Sequence, residues 1–315
     1  MQSTQDMVKR LTRNVSKVIV GKQDVVELML ISLLCRGHVL IEDVPGVGKT
    51  TLASALSRSL DCSFRRIQFT PDITPSDITG FSIVNFKTGE LEYHEGLVMS
   101  QMILADEINR TSPKTQSSLL EVMEEGQVTV DGITYPMPQP FIVMATQNPV
   151  DFVGTYPLPE AQLDRFFMRI SIGYPSADEE TDILEKYTSG TPPMEELSPI
   201  CSAADVRGMQ AQVSDIYTSR EVRAYISMIA QTSRKYQGLQ LGVSTRGAIA
   251  LNRAAQAYAM IQGRDYVIPE DVQKMALPVL AHRIQPSPEA RMRNISAEKA
   301  LMSVMSSVQV PVRTS

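Results

Sequence analysis

Cysteine and histidine are scarce in this 315-residue chain, three of each. Cys35, Cys62 and Cys201 lie far apart, with neither metal-ligand spacing nor an even-numbered disulfide frame. They are expected to be buried, reduced thiols in a reducing cytosol. His38, His94 and His282 are scattered, which suits surface or structural roles better than a metal site. Positive charge is not in excess either: 30 basic residues face 35 acidic ones, for a net charge of −5. Chain-wide attraction to nucleic acid is therefore not expected, although a local basic patch stays open. No long apolar run occurs. The longest, near Val25–Cys35, is interrupted by Glu27 and is too short to span a bilayer. The N-terminal Lys9, Arg10, Arg13 and Lys17 interrupt any signal-like core. A cytoplasmic location is expected.

What is present is the balance of an ordinary globular protein: 43% hydrophobic and 21% charged residues. That much apolar sequence excludes a disordered chain. The length allows one large domain or two smaller ones.

The first half alternates short β-rich runs with helical patterns. Strands are expected at Val39–Ile41, Phe64–Phe69, Met102–Ala105, Phe141–Ala145 and Phe167–Ile172. Helices are expected from Thr50 to about Leu60 and over Lys114–Glu125. Such alternation implies an α/β fold with a parallel sheet, which binds ligands at the carboxyl ends of its strands. Two hairpins interrupt it, at Gly80–His94 and around Asp131-Gly132 in Gly126–Pro140. After Gly173-Tyr174-Pro175 the spacing becomes helical over Ala177–Tyr187, Ser219–Tyr236, Thr245–Ile261 and Pro269–His282. Ser189–Pro199 reads as a connector, the end from Pro311 to Ser315 as frayed. No strand is expected there. The division is an α/β core over 1–176 and an all-helical domain over 177–315.

Asp43-Val44-Pro45-Gly46-Val47-Gly48-Lys49-Thr50 follows the first strand and opens a helix. That is the context of a phosphate-binding loop. Glycines let backbone N–H groups turn inward around phosphate oxygens, and the helix N-terminus adds positive partial charge. Lys49 can reach the β- and γ-phosphates, and the Thr50 hydroxyl can ligate Mg²⁺. Asp43 stands where the full pattern has glycine.

The second element, Met102-Ile103-Leu104-Ala105-Asp106-Glu107, is an apolar strand ending in two carboxylates. Asp106 can hold Mg²⁺, directly or through water, and Glu107 can polarise an attacking water. A carboxylate beside the metal-holding Asp suits hydrolysis of a nucleoside triphosphate rather than transfer to a second substrate.

These residues resemble the AAA+ ATPases, and among them the MoxR family. The resemblance runs from Val20-Gly21 to about His282. It is carried by Glu42–Thr50, Phe69–Asp72 with Pro75–Gly80, Ala105–Arg110, Ala145–Pro149 and Leu158–Arg165. It implies a P-loop core with a helical lid and ATP bound across Val44–Thr51, including Thr51. Ile19, Val20, Gly21 and Tyr174 would lie on the adenine side, where plain core packing is the alternative. Asn148 resembles the sensor-1 residue, or is a turn residue before Pro149. Arg165 resembles an arginine finger reaching a neighbouring subunit's γ-phosphate, or pairs with Asp164 or another surface acid. Arg246 resembles sensor 2, or is a plain surface arginine. Arg110 acts in trans or structures an interface.

The hairpins resemble the family's helix-2 insert and pre-sensor-1 hairpin. Phe86, Tyr135 and Met137 would then touch a partner or pack within the sheet. A finger acting in trans implies a ring, taken as a hexamer. The ring would remodel client proteins in a chaperone-like way, in some relatives with metal or cofactor insertion, and von Willebrand-type domain proteins are candidate partners. Membrane association of those partners stays open. Three other readings are a metal-chelatase motor subunit, a DNA-acting regulator or helicase, and a non-hydrolysing nucleotide switch.

Overall fold

The computed structural model describes residues 4–148, 154–188 and 192–311. Pro149 of the Ala145–Pro149 motif, residues 189–191 of the expected connector and residues 312–315 of the tail lie outside them.

Two helices precede the first strand. In α1 (Thr4–Val15), Val8, Leu11 and Val15 recur at helical spacing and are buried. The apolar run near Val25–Cys35 is α2 (Gln23–Leu34), buried on most of its circumference. Then come β1 (Val39–Glu42), α3 (Lys49–Ser59) and β2 (Phe64–Gln68). The short α4 (Pro75–Thr79) leads into the first hairpin, β3 (Gly80–Val84) and β4 (Leu91–Glu95). After β5 (Met102–Asp106) and α5 (Pro113–Glu125) comes the second hairpin, β6 (Gln127–Val130) and β7 (Ile133–Pro136). Next are β8 (Ile142–Gln147), α6 (Glu160–Leu163) and β9 (Met168–Ile170).

Five of these strands form one parallel sheet in the order β2-β5-β8-β1-β9. Both faces of the inner strands β5, β8 and β1 are covered, so these are apolar on both sides, whereas the edge strand β2 exposes Arg65, Arg66 and Gln68. Alternate side chains serve two cores. Val39, Ile41, Leu104 and Met144 join α2 and α3. Leu40, Ile103, Ala105 and Val143 join Leu119, Leu120 and Met123 of α5. Register places Glu42 beside Gln147 and Gln68 beside Asp106, so the loops that follow leave from one edge.

Both hairpins stand outside this sheet. Asp131 and Gly132 have φ of 50° and 79°, as a tight two-residue turn requires. Tyr93 stacks on Tyr135 with ring centroids 4.0 Å apart, which joins the hairpins. Of the three expected contact residues, Phe86 is almost wholly exposed, whereas Met137 is buried and Tyr135 is half-buried against Tyr93. Phe86 is the most exposed of the three.

The second half contains α7 (Ala177–Thr188), α8 (Ala203–Gln212), α9 (Arg220–Lys235), β10 (Leu239–Leu241), α10 (Thr245–Ile261), α11 (Pro269–Leu280), β11 (Gln285–Pro286), α12 (Pro288–Met292) and α13 (Ala297–Ser307). The expectation of no strand is corrected: β10 and β11 pair antiparallel. Strands of three and two residues are too short to show alternation. Serine caps begin α8, α9, α10, α12 and α13, each accepting a backbone N–H of the first turn. An alanine-rich face of α10 packs on α11, and α1 and α2 pack on α10. One apolar cluster therefore continues from β1 and β9 into the helices.

Candidate active site

The phosphate loop leaves β1 and turns into α3 through Gly46 (φ 85°) and Gly48 (φ 88°). A Cβ at either glycine would meet nothing within 4 Å, so left-handed backbone rather than space demands glycine. Gly48 is the N-cap of α3 and offers no side-chain cap. The free N–H groups of the first turn are what an anion would accept from. Lys49 Nζ donates to the Asp43 carbonyl oxygen at 2.8 Å, folding the lysine back over its own loop.

The buried Asp43 carboxylate has its own work. Its Oδ2 accepts N–H bonds from Ile172 (2.5 Å) and Gly173 (2.8 Å) and the Ser171 hydroxyl (3.1 Å). Its Oδ1 accepts from Val44 N–H at 3.1 Å. The residue that departs from the phosphate-loop pattern thus fastens the loop to the end of β9.

At the end of β5, Asp106 is buried. Its Oδ1 accepts the Thr146 hydroxyl at 2.6 Å, and its Oδ2 accepts Arg66 Nη2 at 2.6 Å and Nε at 3.1 Å. Thr146 Oγ1 also accepts the Glu107 N–H at 2.8 Å. Glu107 itself is left-handed, φ 58°, a conformation that costs a non-glycine residue on the order of 1 kcal/mol. Its carboxylate accepts Gln68 Nε2 at 2.9 Å and lies 3.2 Å from Arg110 Nε. Arg110, whose expected role was in trans or at an interface, here pairs within its own chain.

These groups share a cleft of about 400 Å³. Pro45, Gly46, Gly48, Lys49, Thr50, Thr51, Asp106, Glu107 and Asn148 line it, together with Arg66 and Gln68. Sequence reasoning missed Arg66, Gln68 and Thr146. A usable signal existed: Arg66 and Gln68 are two apart near the carboxyl end of a strand, so they share a side of the sheet. Val44, Val47, Val20, Gly21 and Tyr174 do not line the cleft. Val47 packs on the core. Gly21 lies against Glu179, whose Oε1 is 1.6 Å from where a Cβ would stand. Lys22 Nζ donates to the Tyr174 carbonyl at 3.0 Å, so this segment and Tyr174 meet beside the start of α7.

Arg165 and Arg246 do not line the cleft either. They meet on Glu124 in the last turn of α5: Arg165 Nε lies 3.1 Å from Oε2 and Arg246 Nη2 2.5 Å from Oε1. Asp164 pairs not with Arg165 but with buried Arg283 Nη1 at 2.7 Å, and accepts the Ser244 hydroxyl at 3.2 Å.

A profile described as the ATPase family associated with various cellular activities (AAA) matches residues 38–168, and an AAA lid domain profile matches 231–302. The chain is 52% identical to the uncharacterized protein YeaC of Bacillus subtilis, over 98% of this chain and 96% of that one. It is 41% identical to Chaperone MoxR1 of Mycobacterium tuberculosis, over 96% of this chain and 82% of the relative. This chain belongs to the MoxR family of AAA+ ATPases. A crystal structure of a candidate ATPase from Cytophaga hutchinsonii superposes with a TM-score of 0.91 at 38% identity, covering 98% of this chain and 96% of that one.

This MoxR-family chain is accordingly an ATP-hydrolysing enzyme with an α/β P-loop core and a helical lid, and its family implies ATP binding. No described helix is long and apolar enough to cross a membrane. Among the described residues no group of three or more His, Cys, Asp or Glu side chains is placed to hold a metal ion. Two histidines are structural. His38 Nδ1 accepts the Val143 N–H at 2.9 Å, so its Nε2 carries the proton and donates to the Met123 carbonyl at 2.9 Å. Burial pushes its pKa down to about 4. His282 is pushed down to about 3 by burial and by neighbouring Arg283. Burial raises the thiols of Cys35 and Cys201 to about 12, which makes them poor nucleophiles.

Proposed function

We propose that this MoxR-family ATPase hydrolyses Mg²⁺-bound ATP at the sheet edge, as a ring whose subunits complete one another's sites, and that it uses the cycle to remodel client proteins. The observation that carries this reading is the single cleft holding Lys49, Thr50, Asp106 and Glu107. The loop's glycines and the uncapped N-terminus of α3 would hold the phosphates. Lys49 would exchange its bond to the Asp43 carbonyl for phosphate oxygens.

The Thr50 hydroxyl and Asp106 carboxylate are hard oxygen donors of the kind Mg²⁺ takes, and they face one cleft. Bound there, the ion would offset charge on the β- and γ-phosphates. Glu107 would accept the proton of the attacking water as its oxygen bonds to the γ-phosphorus, with ADP as leaving group. Asn148, at the end of β8, would orient that water or the γ-phosphate.

Arg165 and Arg246 lie outside their own chain's cleft, which supports a role at a neighbour's phosphate and hence a ring, a hexamer in this reading. A chaperone-like role is supported by the 41% identity to a relative named Chaperone MoxR1. Proteins with a von Willebrand-type domain are the proposed partners, and maturation by metal or cofactor insertion the proposed outcome in that case.

ATPase rate per subunit, measured against protein concentration, tests the ring. The rate should rise through an assembly threshold and collapse in Arg165→Ala. A flat profile with a fully active Arg165→Ala overturns it. Glu107→Gln should retain ATP without turnover, and co-purification with a von Willebrand-type protein tests the partner.

A further inference from the structure

We infer that Glu124 is a positioning residue that binds Arg165 and Arg246 into one double-cation clamp for the triphosphate of a neighbouring subunit; this rests on the ring proposed above.

Three elements distant in sequence converge here. Arg165 follows α6, Arg246 lies in the first turn of α10, and Glu124 sits in the last turn of α5. Each guanidinium takes a different carboxylate oxygen, at 3.1 and 2.5 Å. Two guanidiniums brought this close repel one another, and a shared carboxylate offsets that repulsion. The helix end gives no local reason for the acid. Glu124 and Glu125 both stand where the backbone carbonyls of α5 already carry negative partial charge, and no basic residue of that turn offsets them. The cations that do so come from elsewhere in the fold.

A second linkage holds the same pair from behind. Asp164, next to Arg165, accepts the hydroxyl of Ser244, the N-cap of the helix that carries Arg246. Buried Arg283 donates to the same carboxylate at 2.7 Å and to the Phe166 carbonyl at 2.6 Å. The backbone under both arginines is therefore fixed, while the two guanidiniums and Glu124 keep a third to a half of their side-chain surface exposed. Fixed backbones beneath accessible cations suit a ligand of high negative charge arriving from outside the chain. Lys49 and the loop serve the chain's own nucleotide, so the clamp should act on rate more than on affinity.

The experiment compares wild type, Glu124→Gln, Glu124→Asp and Arg165→Ala at a concentration above the assembly threshold. Glu124→Gln should lower kcat about tenfold or more, leave the KM for ATP within about twofold, and add little loss to Arg165→Ala. Glu124→Asp, which keeps the charge, should recover part of the rate. Mixing Glu124→Gln with Lys49→Ala subunits should restore activity, because each variant supplies what the other lacks across the interface. An unchanged or raised kcat in Glu124→Gln while Arg165→Ala is inactive overturns the clamp but not the ring. A loss confined to KM, or a mixture no more active than its parts, also overturns the clamp. If Arg165→Ala is as active as wild type at every concentration, the ring reading itself fails.

Discussion

Gly173 N–H donates to Asp43 Oδ2 at 2.8 Å, joining the first residue of the phosphate loop to the point where the chain leaves the sheet for the lid. One carboxylate therefore fastens the phosphate loop to the segment that follows β9. Lys22 ties the same segment to the N-terminal part of the chain through the Tyr174 carbonyl. On β1 and β9, Arg169 pairs with Glu42 at 3.0 Å and also with Glu298 of α13, so sheet and last helix share a charge pair.

Asp43→Gly would bring the loop closer to the usual phosphate-binding pattern, yet it should harm the protein. It strips the acceptor from the N–H groups of Val44, Ile172 and Gly173. The expected cost is about 2–3 kcal/mol, a Tm drop of roughly 3–5 °C, with a raised KM for ATP. Calorimetry and initial rates check both.

Thr146→Val keeps side-chain volume and removes the hydroxyl that donates to Asp106 and accepts from Glu107. Glu107 should lose its fixed backbone, and kcat should fall by about tenfold to a hundredfold. Tm should drop by only a few degrees. A wild-type kcat would show that Glu107 is held by other contacts.

Arg66 occupies Asp106 Oδ2 with two hydrogen bonds. A cation already on that carboxylate competes with another. Arg66→Ala should therefore lower the Mg²⁺ concentration for half-maximal ATPase, by about threefold to tenfold. A Mg²⁺ titration at saturating ATP reads it, and an unchanged or higher midpoint contradicts the competition.

Acid should destabilise the fold through His38 and His282. Both have folded pKa values, about 4 and about 3, below the ordinary 6.5. Below pH 6.5 the unfolded chain binds protons that the folded chain refuses. Their stabilising contribution is thus complete above pH 6.5 and is lost as pH falls toward 4 for His38 and toward 3 for His282, at about 1.4 kcal/mol per pH unit for each site. Replacing His38 with Gln, which keeps a donor and an acceptor, should flatten the fall in Tm between pH 6.5 and 4.5.

Much of the site was legible because its signals are local. The phosphate loop needs positive φ at Gly46 and Gly48, and only the residues themselves decide that. Asp106-Glu107 ends an apolar run, and the short apolar runs of the inner strands and the period-3.6 helices show in the chain as they do in the fold. Arg66, Gln68 and Thr146 were less visible, since each looks like an ordinary polar residue in a strand until the neighbouring strand is placed. The β10–β11 pair was invisible because five residues in all carry no period.

The sequence by itself determined the sheet-and-helix order, the phosphate loop and the acidic strand end, since backbone preference and hydrophobic period act over a few residues. Only the tertiary structure decided that Asp43 caps the end of β9, that His38 is held neutral between β8 and α5, and that Arg165 and Arg246 converge on Glu124. Those pairings span from 41 residues to more than 120 along the chain. Their partners are chosen by strand order and helix packing, and no local pattern carries that information.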